Sequence, residues 1–230
     1  MELFISNTYS ILKTDNTKLL KALGKKYRSK APGSEFSVSY KRGHWDGYTY
    51  FFNPKTGKFG TGLLYSIIED LDYVEVEYTV NDSRTSLMLE DGTLEGYTPR
   101  DYQQDLIDEA LRLKSCIIKA PTGSGKTIVI ASILKQLEGK TGLLFFNKKQ
   151  LLKQTSDFLT KCGIEHGVAF GDGVDIKPLT LVTIQSIDKV IDTHLKTSEF
   201  IMFDEIHEFA KGKVAKKVLS SFPNASYRIG

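Results

Sequence analysis

The chain has 230 residues, 40% hydrophobic and 26% charged, with a net charge of +3; that length suffices for one or two cores of about 100 residues each. Mean hydropathy is −0.23, no apolar run approaches the roughly 18 residues that a membrane span requires, and the opening MELFISNTYS lacks the basic-then-apolar pattern of a secretory signal. Two cysteines, Cys116 and Cys162, exclude a disulfide framework or a zinc spacing and read as small buried thiols, which suits a reducing cytoplasm.

Charge is unevenly distributed. Residues 13–58 carry eleven Lys/Arg against three acids, a local +8, whereas 69–95 carry nine acids against Arg84, a local −8. The basic block suits a polyanionic partner; equally, it is a surface neutralised by the acidic block folded beside it. Both readings stay open from charge alone.

In chain order, Asn7 to Leu12 reads as a strand and 16–28 as a helix with Leu19, Leu20 and Leu23 on one face. Phe36 to Tyr40 alternates as a strand does, and Tyr48 to Phe52 is expected to pair with Phe59 across a turn at Asn53–Gly57. A short helix over Leu63–Leu71 and an alternating strand over Tyr73–Val80 complete a small α+β domain, 1–82. Polar residues 83–96 read as a linker. Thr98 is the expected N-cap, with Pro99 at the first position, of a helix running to Leu113. Apolar runs at Cys116–Lys119, Leu143–Phe146, Val168–Phe170, Leu179–Ile184 and Phe200–Phe203 then alternate with helical patterns at Thr127–Leu137, Lys149–Lys161 and Ser186–His194. Short β-branched strands alternating with helices predict an α/β domain over 97–230, built on an open parallel sheet covered on both faces. Lys216 and Lys217 read as a solvated helix face.

Two clusters carry chemistry. The first is Ala120, Pro121, Thr122, Gly123, Ser124, Gly125, Lys126 and Thr127, set between a strand and a helix. Its glycines let backbone N–H groups turn inward as an anion nest at a helix N-terminus. Lys126 reaches β- and γ-phosphates, and the Thr127 hydroxyl is a Mg²⁺ ligand. Ala120 stands where this phosphate loop usually has its first glycine. The second cluster is Asp204-Glu205-Ile206-His207, directly after an apolar strand. Adjacent carboxylates at a buried strand end are costly without a cation or partner. Beside a phosphate loop, Asp204 would hold Mg²⁺ and Glu205 would orient and deprotonate the attacking water.

These two motifs together resemble the first motor domain of a superfamily 2 helicase of the DExH type, a RecA-like parallel-sheet fold. The resemblance implies ATP and Mg²⁺ as cofactors, Arg100 and Gln103 within an adenine motif (Tyr97 to Gln103), and His207 as a link to a second motor domain. It also implies strand contacts from Asn147, Lys148 and Gln154 in Leu143–Gln154, from Gly171, and from Thr183 and Gln185 in Leu181–Ser186. Phe146-Asn147 replaces the family's Pro-Thr. Tyr40–Tyr48 and Phe59–Leu63 are similar to the leading domain of phage recombination and fork-remodelling helicases of the UvsW type. That likeness implies DNA partners (branched, duplex or single-stranded), roles in recombination and repair, and the infected host cytoplasm; the +8 charge of residues 13–58 and the loop around Trp45 make Lys41, Arg42 and Trp45 the expected DNA contacts there. Trp45 alone reads as either a base-stacking tip or a core anchor, and its size favours the core.

The expected function is an ATP-dependent DNA helicase or translocase. An RNA helicase, a nucleotide-binding regulatory module and a restriction-enzyme motor are the alternatives. The chain stops where the family has its coupling motif and second motor domain, which bears the arginine finger; none of Arg28, Arg42, Arg84, Arg100, Arg112 and Arg228 is placed to replace it. The resemblance therefore implies an N-terminal portion that is nearly inactive alone.

Overall fold

The computed structural model describes all residues except 122, 195, 210–217 and 220, so Lys216 and Lys217 lie outside the described residues. The backbone divides into two compact units, Met1–Arg84 and Thr85–Gly230.

In the first unit, β1 (Glu2–Ile5) and β2 (Tyr9–Lys13) form an antiparallel pair. There follow α1 (Thr17–Lys26), β3 (Arg28–Lys30), α2 (Val38–Lys41), β4 (Tyr48–Tyr50), β5 (Lys58–Gly60), α3 (Leu64–Tyr73) and β6 (Thr79–Asp82). The sheet order is β5-β2-β1-β6, and β3-β4 is a separate ribbon. Strand alternation turns Leu3, Ile5 and Leu12 inward, where they form one core with Leu20, Leu23, Leu64, Ile67 and Leu71 from the helices. Asn16 starts α1 by accepting the Leu19 N–H at 3.0 Å.

Two local expectations fail here for identifiable reasons. Phe36 to Tyr40 is not a strand: Ser37 and Lys41 N–H groups bond the carbonyls of Ser34 and Ser37, closing two helical turns in place of a ladder. The expected pairing of the Tyr48 segment with Phe59 is present as the antiparallel bridge Phe52 to Phe59, and the segment also pairs with β3 over Arg28–Lys30. The run from Tyr73 is divided, because α3 continues through Tyr73 and the strand begins only at Thr79. In addition, β1 precedes the strand expected at Asn7.

The second unit contains α4 (Asp101–Leu113), β7 (Ser115–Cys116), α5 (Lys126–Gln136), β8 (Gly142–Phe146), α6 (Lys149–Lys161), β9 (Gly167–Phe170), β10 (Gly173–Asp175), β11 (Leu179–Thr183), α7 (Ile191–His194), β12 (Phe200–Phe203), α8 (Ile206–Phe209) and β13 (Tyr227–Ile229). The sheet order is β10-β9-β11-β8-β12-β13-β7. All described pairs are parallel except β10 with β9. Strand β8 lies at the middle, buried along its whole length. Its alternate residues feed two cores: Leu144 and Phe146 pack with Ile107, Ile133 and Leu159, and Leu143 and Phe145 pack with Val182, Phe203 and Phe222. Such double coverage explains why this strand reads as a continuous apolar run.

Helix α4 begins at Asp101 with Arg100 as its N-cap, two residues later than expected. The strand expected over Cys116–Lys119 stops at Cys116. Ser186–His194 is a 3₁₀ turn over Ile184–Lys189 followed by the short α7. The segment expected as a linker packs on this unit: Leu94 belongs to its core, and Glu90 N–H donates to Gln136 O at 2.8 Å. Among the described residues, no helix is long and apolar enough to cross a membrane.

Phe145 stacks on Phe203, the last residue of β12 and the one before Asp204, with ring centroids 4.8 Å apart. Phe145→Ala is expected to destabilise the second unit by about 3–5 kcal/mol, the range for fully buried aromatic truncation. A urea-unfolding midpoint that does not move would contradict this placement.

Candidate active site

Strands β7, β12 and β13 end side by side, and the loop after β7 crosses their C-terminal ends. Gly123 and Gly125 adopt left-handed φ values of +82° and +75°, a region costly for other L-residues. A Cβ at Gly125 would lie 2.4 Å from Gln103 Nε2, so any side chain there would displace the Gln103 amide. Gln103 is buried, and both ends of its amide are in use: Nε2 donates to Ser124 O at 2.8 Å, and Oε1 accepts the Arg100 N–H at 2.9 Å. Tyr102 Oη donates to the same Ser124 carbonyl at 2.8 Å. The loop is therefore clamped to the start of α4 by two donors on one carbonyl, and Arg100 itself is exposed.

Across the cleft, Asp204 N–H donates to Phe145 O at 2.9 Å, holding the chain at the end of β12. Glu205 has a left-handed φ of 57°, an uncommon conformation for a residue with a side chain. The turn it makes brings Glu205 Oε1 to 2.6 Å from Lys126 Nζ, and His207 Nδ1 lies 3.3 Å from Glu205 Oε2. Burial lifts the Asp204 carboxyl above the ordinary carboxylate range; the neighbouring Glu205 charge adds to this and Lys126 opposes it. The cleft encloses about 650 Å³ and is lined by Ala120, Pro121, Lys126, Asp204, Glu205 and His207, with Ile118, Val129 and Met202 among its apolar walls.

The donor set fits a magnesium–triphosphate group. The Ser124 hydroxyl is buried without a partner in the loop, an orphan of the kind that a phosphate oxygen satisfies. No cluster of three or more His, Cys, Asp or Glu capable of holding a metal occurs among the described residues. One hydroxyl and one carboxylate, Thr127 and Asp204, suit Mg²⁺, which takes most of its ligands from phosphates and water. Thr122 lies outside the described residues.

A second group of residues gathers at the C-terminal ends of β8, β9 and β11. Asn147 Nδ2 donates to Glu208 Oε2, and that bond together with Lys148 holds the Glu208 carboxyl below its usual range. Lys148, Gln154 and Gln185 are exposed, as is Gly171, whose carbonyl accepts from Lys189 Nζ. Thr183, by contrast, is buried, and its hydroxyl donates to Ser186 Oγ at 3.1 Å. Residues that sequence reasoning missed stand among them: Lys149 and Lys153 hold their ammonium groups 4.8 and 5.6 Å from the Phe170 ring centroid. Their i, i+4 spacing on α6 was the available signal.

Lys41, Arg42 and Trp45 belong to the first unit. Both basic side chains are exposed. Trp45 is half-buried and outside the hydrophobic core, with its indole N–H donating to Tyr48 O at 2.9 Å, so the core-anchor reading fails. Of the two cysteines, Cys162 is buried and Cys116 half-buried, with its thiol pushed up to about 11 by burial.

Because folded Asp204 holds its proton more tightly than the unfolded chain does, its contribution favours folding below the ordinary carboxylate range. That contribution is lost as pH rises through the Asp204 titration. Asp204→Asn is therefore expected to stabilise the unit at pH 7 by about 0.5–2 kcal/mol, with the gain shrinking toward pH 3. Urea unfolding at the two pH values checks this; a loss of stability at pH 7 would contradict it.

Residues 96–230 match the family described as type III restriction enzyme, res subunit. The DNA 3'-5' helicase XPB of Kineococcus radiotolerans is 30% identical over 128 residues, which cover 49% of this chain and 22% of that protein. The DNA 3'-5' translocase XPB2 of Sulfurisphaera tokodaii is 26% identical over 158 residues, covering 68% of this chain and 34% of that protein. The chain thus spans well under half the length of either relative. The crystal structure of the UvsW helicase from bacteriophage T4 superposes with a TM-score of 0.75 at 19% identity, over 100% of this chain and 91% of that one, a likeness of fold through both units. The family match covers more than half of the chain and contains the whole cleft, so the chain belongs to the type III restriction enzyme res-subunit family, with the motor architecture of DExH-type superfamily 2 helicases.

Proposed function

We propose that the chain is the ATP-binding part of an ATP-dependent DNA helicase or translocase that works on branched DNA in the cytoplasm. The observation carrying this reading is the 2.6 Å ion pair between Lys126 and Glu205 in a cleft shared with Asp204. A phosphate-seeking lysine and a water-activating carboxylate stand within contact of one another, with His207 on the other carboxylate oxygen. A triphosphate competes for Lys126 and would leave Glu205 free to accept a proton from water, coupling base activation to nucleotide arrival. Thr127 and Asp204 would hold Mg²⁺, which supplies charge neutralisation at the β- and γ-phosphates. The raised proton affinity of Asp204 suits a site awaiting a cation. Arg100 and Gln103 flank the loop on the side proposed for adenine, with Gln103 setting the loop's shape as well.

On the second face, Asn147, Lys148, Gln154, Gly171 and Gln185 would hold a strand by its phosphates, joined by Lys149, Lys153 and Lys189. Such contacts position a strand without reading its sequence. Thr183 would support this face through Ser186. The names of the XPB relatives favour DNA over RNA, and the resemblance of Tyr40–Tyr48 and Phe59–Leu63 to the leading domain of fork-remodelling helicases is the ground for proposing branched DNA, recombination and repair as the setting. Residues 1–82 would form an accessory DNA-binding domain and 97–230 a first motor domain, working with a second RecA-like domain.

Two measurements test the reading. Lys126→Ala is expected to weaken Mg·ATP binding by about 1.5–3 kcal/mol, the scale of charge-assisted hydrogen bonds; equal affinity by calorimetry would refute the site. Duplex-DNA affinity should fall with salt at a log–log slope of about −0.9 per phosphate contact. Neutralising Lys41 and Arg42 should flatten that slope by up to about two contacts. An unchanged slope returns the basic block to a solvated face.

A further inference from the structure

The most exposed large apolar side chains of the first unit include Phe36 and Val38, at 76% and 62% exposure. They stand on one loop, residues 31–47, and that loop is built rather than slack. Its ends are tied by Ala31 N–H donating to Gly47 O at 2.8 Å. Gly33 turns it at a φ of +69°, and successive bonds from Phe36, Ser37, Lys41, Arg42 and His44 N–H groups to carbonyls within the loop fix its backbone. Ser34 is buried inside the loop, and the Tyr40 ring, itself exposed, lies so close to Gly47 that a Cβ there would be 3.0 Å from it. Nothing in the fold requires Phe36 or Val38 to be apolar, since neither belongs to the unit's core. A rigid loop that holds two apolar side chains in water has already met the ordering cost of binding something.

Charge indicates the occupant. The Arg42 N–H bonds Val38 O, which puts this cation one helical turn from the apolar tip, with Lys41 beside it. Of the two nearby acids, Asp46 is engaged by Tyr50 Oη at 2.6 Å and the Tyr48 N–H at 3.1 Å, and lies 3.8 Å from Arg28. Only Glu35 is left against Lys30, Lys41 and Arg42. An apolar tip between cations suits a polyanion that exposes flat apolar faces, namely DNA with unpaired bases. Fully paired duplex buries those faces and offers only phosphates.

We propose that loop 31–47 is a wedge for branch points: Phe36 and Val38 pack against unpaired bases at a junction while Lys41 and Arg42 hold the flanking phosphates. This rests on the reading of the first unit as a DNA-binding domain and adds to it the substrate feature that the domain selects. Each base stacked on an aromatic side chain contributes enough to predict a roughly five- to hundredfold preference from the tip.

The test uses residues 1–230, a forked DNA carrying 2-aminopurine at the branch, and the matching fully paired duplex. Phe36→Ala/Val38→Ala is expected to lower fork affinity roughly five- to hundredfold, change duplex affinity less than twofold, and abolish the 2-aminopurine signal. Phe36→Trp should retain fork affinity, and since both side chains are exposed, thermal unfolding should stay superimposable on that of the unsubstituted chain. Lys41→Ala/Arg42→Ala should weaken both DNAs. Loss with the basic variant but none with the apolar one overturns the wedge and leaves the DNA-binding domain standing. No loss with either overturns the domain reading itself. A concentration-dependent dimer in sedimentation that Phe36→Ala/Val38→Ala dissolves would assign the tip to a second copy and also overturn the wedge.

Discussion

One ion pair joins the two halves of the cleft. Lys126 begins α5 and Glu205 follows β12, 79 residues later, yet their charged atoms stand 2.6 Å apart. Neither group is deeply buried, at 33% and 30% side-chain exposure, so the pair's own contribution to stability is of order 1 kcal/mol or less. Its importance is positional. It requires a loop that delivers a lysine to the end of the sheet and a strand that delivers a carboxylate to meet it, and most of the second unit exists to do those two things.

The loop is held by a polar clamp and the strand by an apolar one. Gln103 and Tyr102 place two donors on the Ser124 carbonyl, and Gly125 is the residue whose missing side chain admits the Gln103 amide. On the other side, Phe145 stacks under Phe203 while its own carbonyl takes the Asp204 N–H, so packing and hydrogen bonding fix the same point. Glu205 follows in a left-handed conformation, φ 57°, which is costly for a residue with a side chain. Beyond it, the short α8 reaches the other face, where Glu208 accepts from Asn147. The helix carrying His207 therefore touches both the nucleotide cleft and the proposed strand-binding surface.

Long periodic elements were legible in the sequence, because burial and local preference agree there. Helix α6 spans Lys149–Lys161 and β12 spans Phe200–Phe203, as the apolar pattern indicates. The two chemical motifs were legible as well, since glycine, lysine and paired carboxylates have few reasons to occur at strand ends. Short exposed elements were not. Phe36 to Tyr40 alternates like a strand, but it forms short helical turns whose apolar residues face water, and alternation carries no information where those residues are not buried. Trp45 was misjudged by size: its indole lies against its own loop with the N–H on Tyr48 O. Pairings between distant polar side chains, such as Gln103 with the Ser124 carbonyl or Asn147 with Glu208, depend on tertiary approach and have no local signature.

On the proposed reading, nucleotide phosphates take Lys126 from Glu205. Calorimetric titration of Mg·ATP into Glu205→Gln tests it most directly, because this variant removes the competing charge while leaving the loop, Thr127 and Asp204 intact. If the pair is the resting partner of the lysine, the variant binds Mg·ATP about two- to tenfold more tightly than the native chain, the equivalent of a partly exposed ion pair no longer broken on binding. Binding equal to or weaker than native would show that Lys126 is not held by Glu205 and would contradict the account.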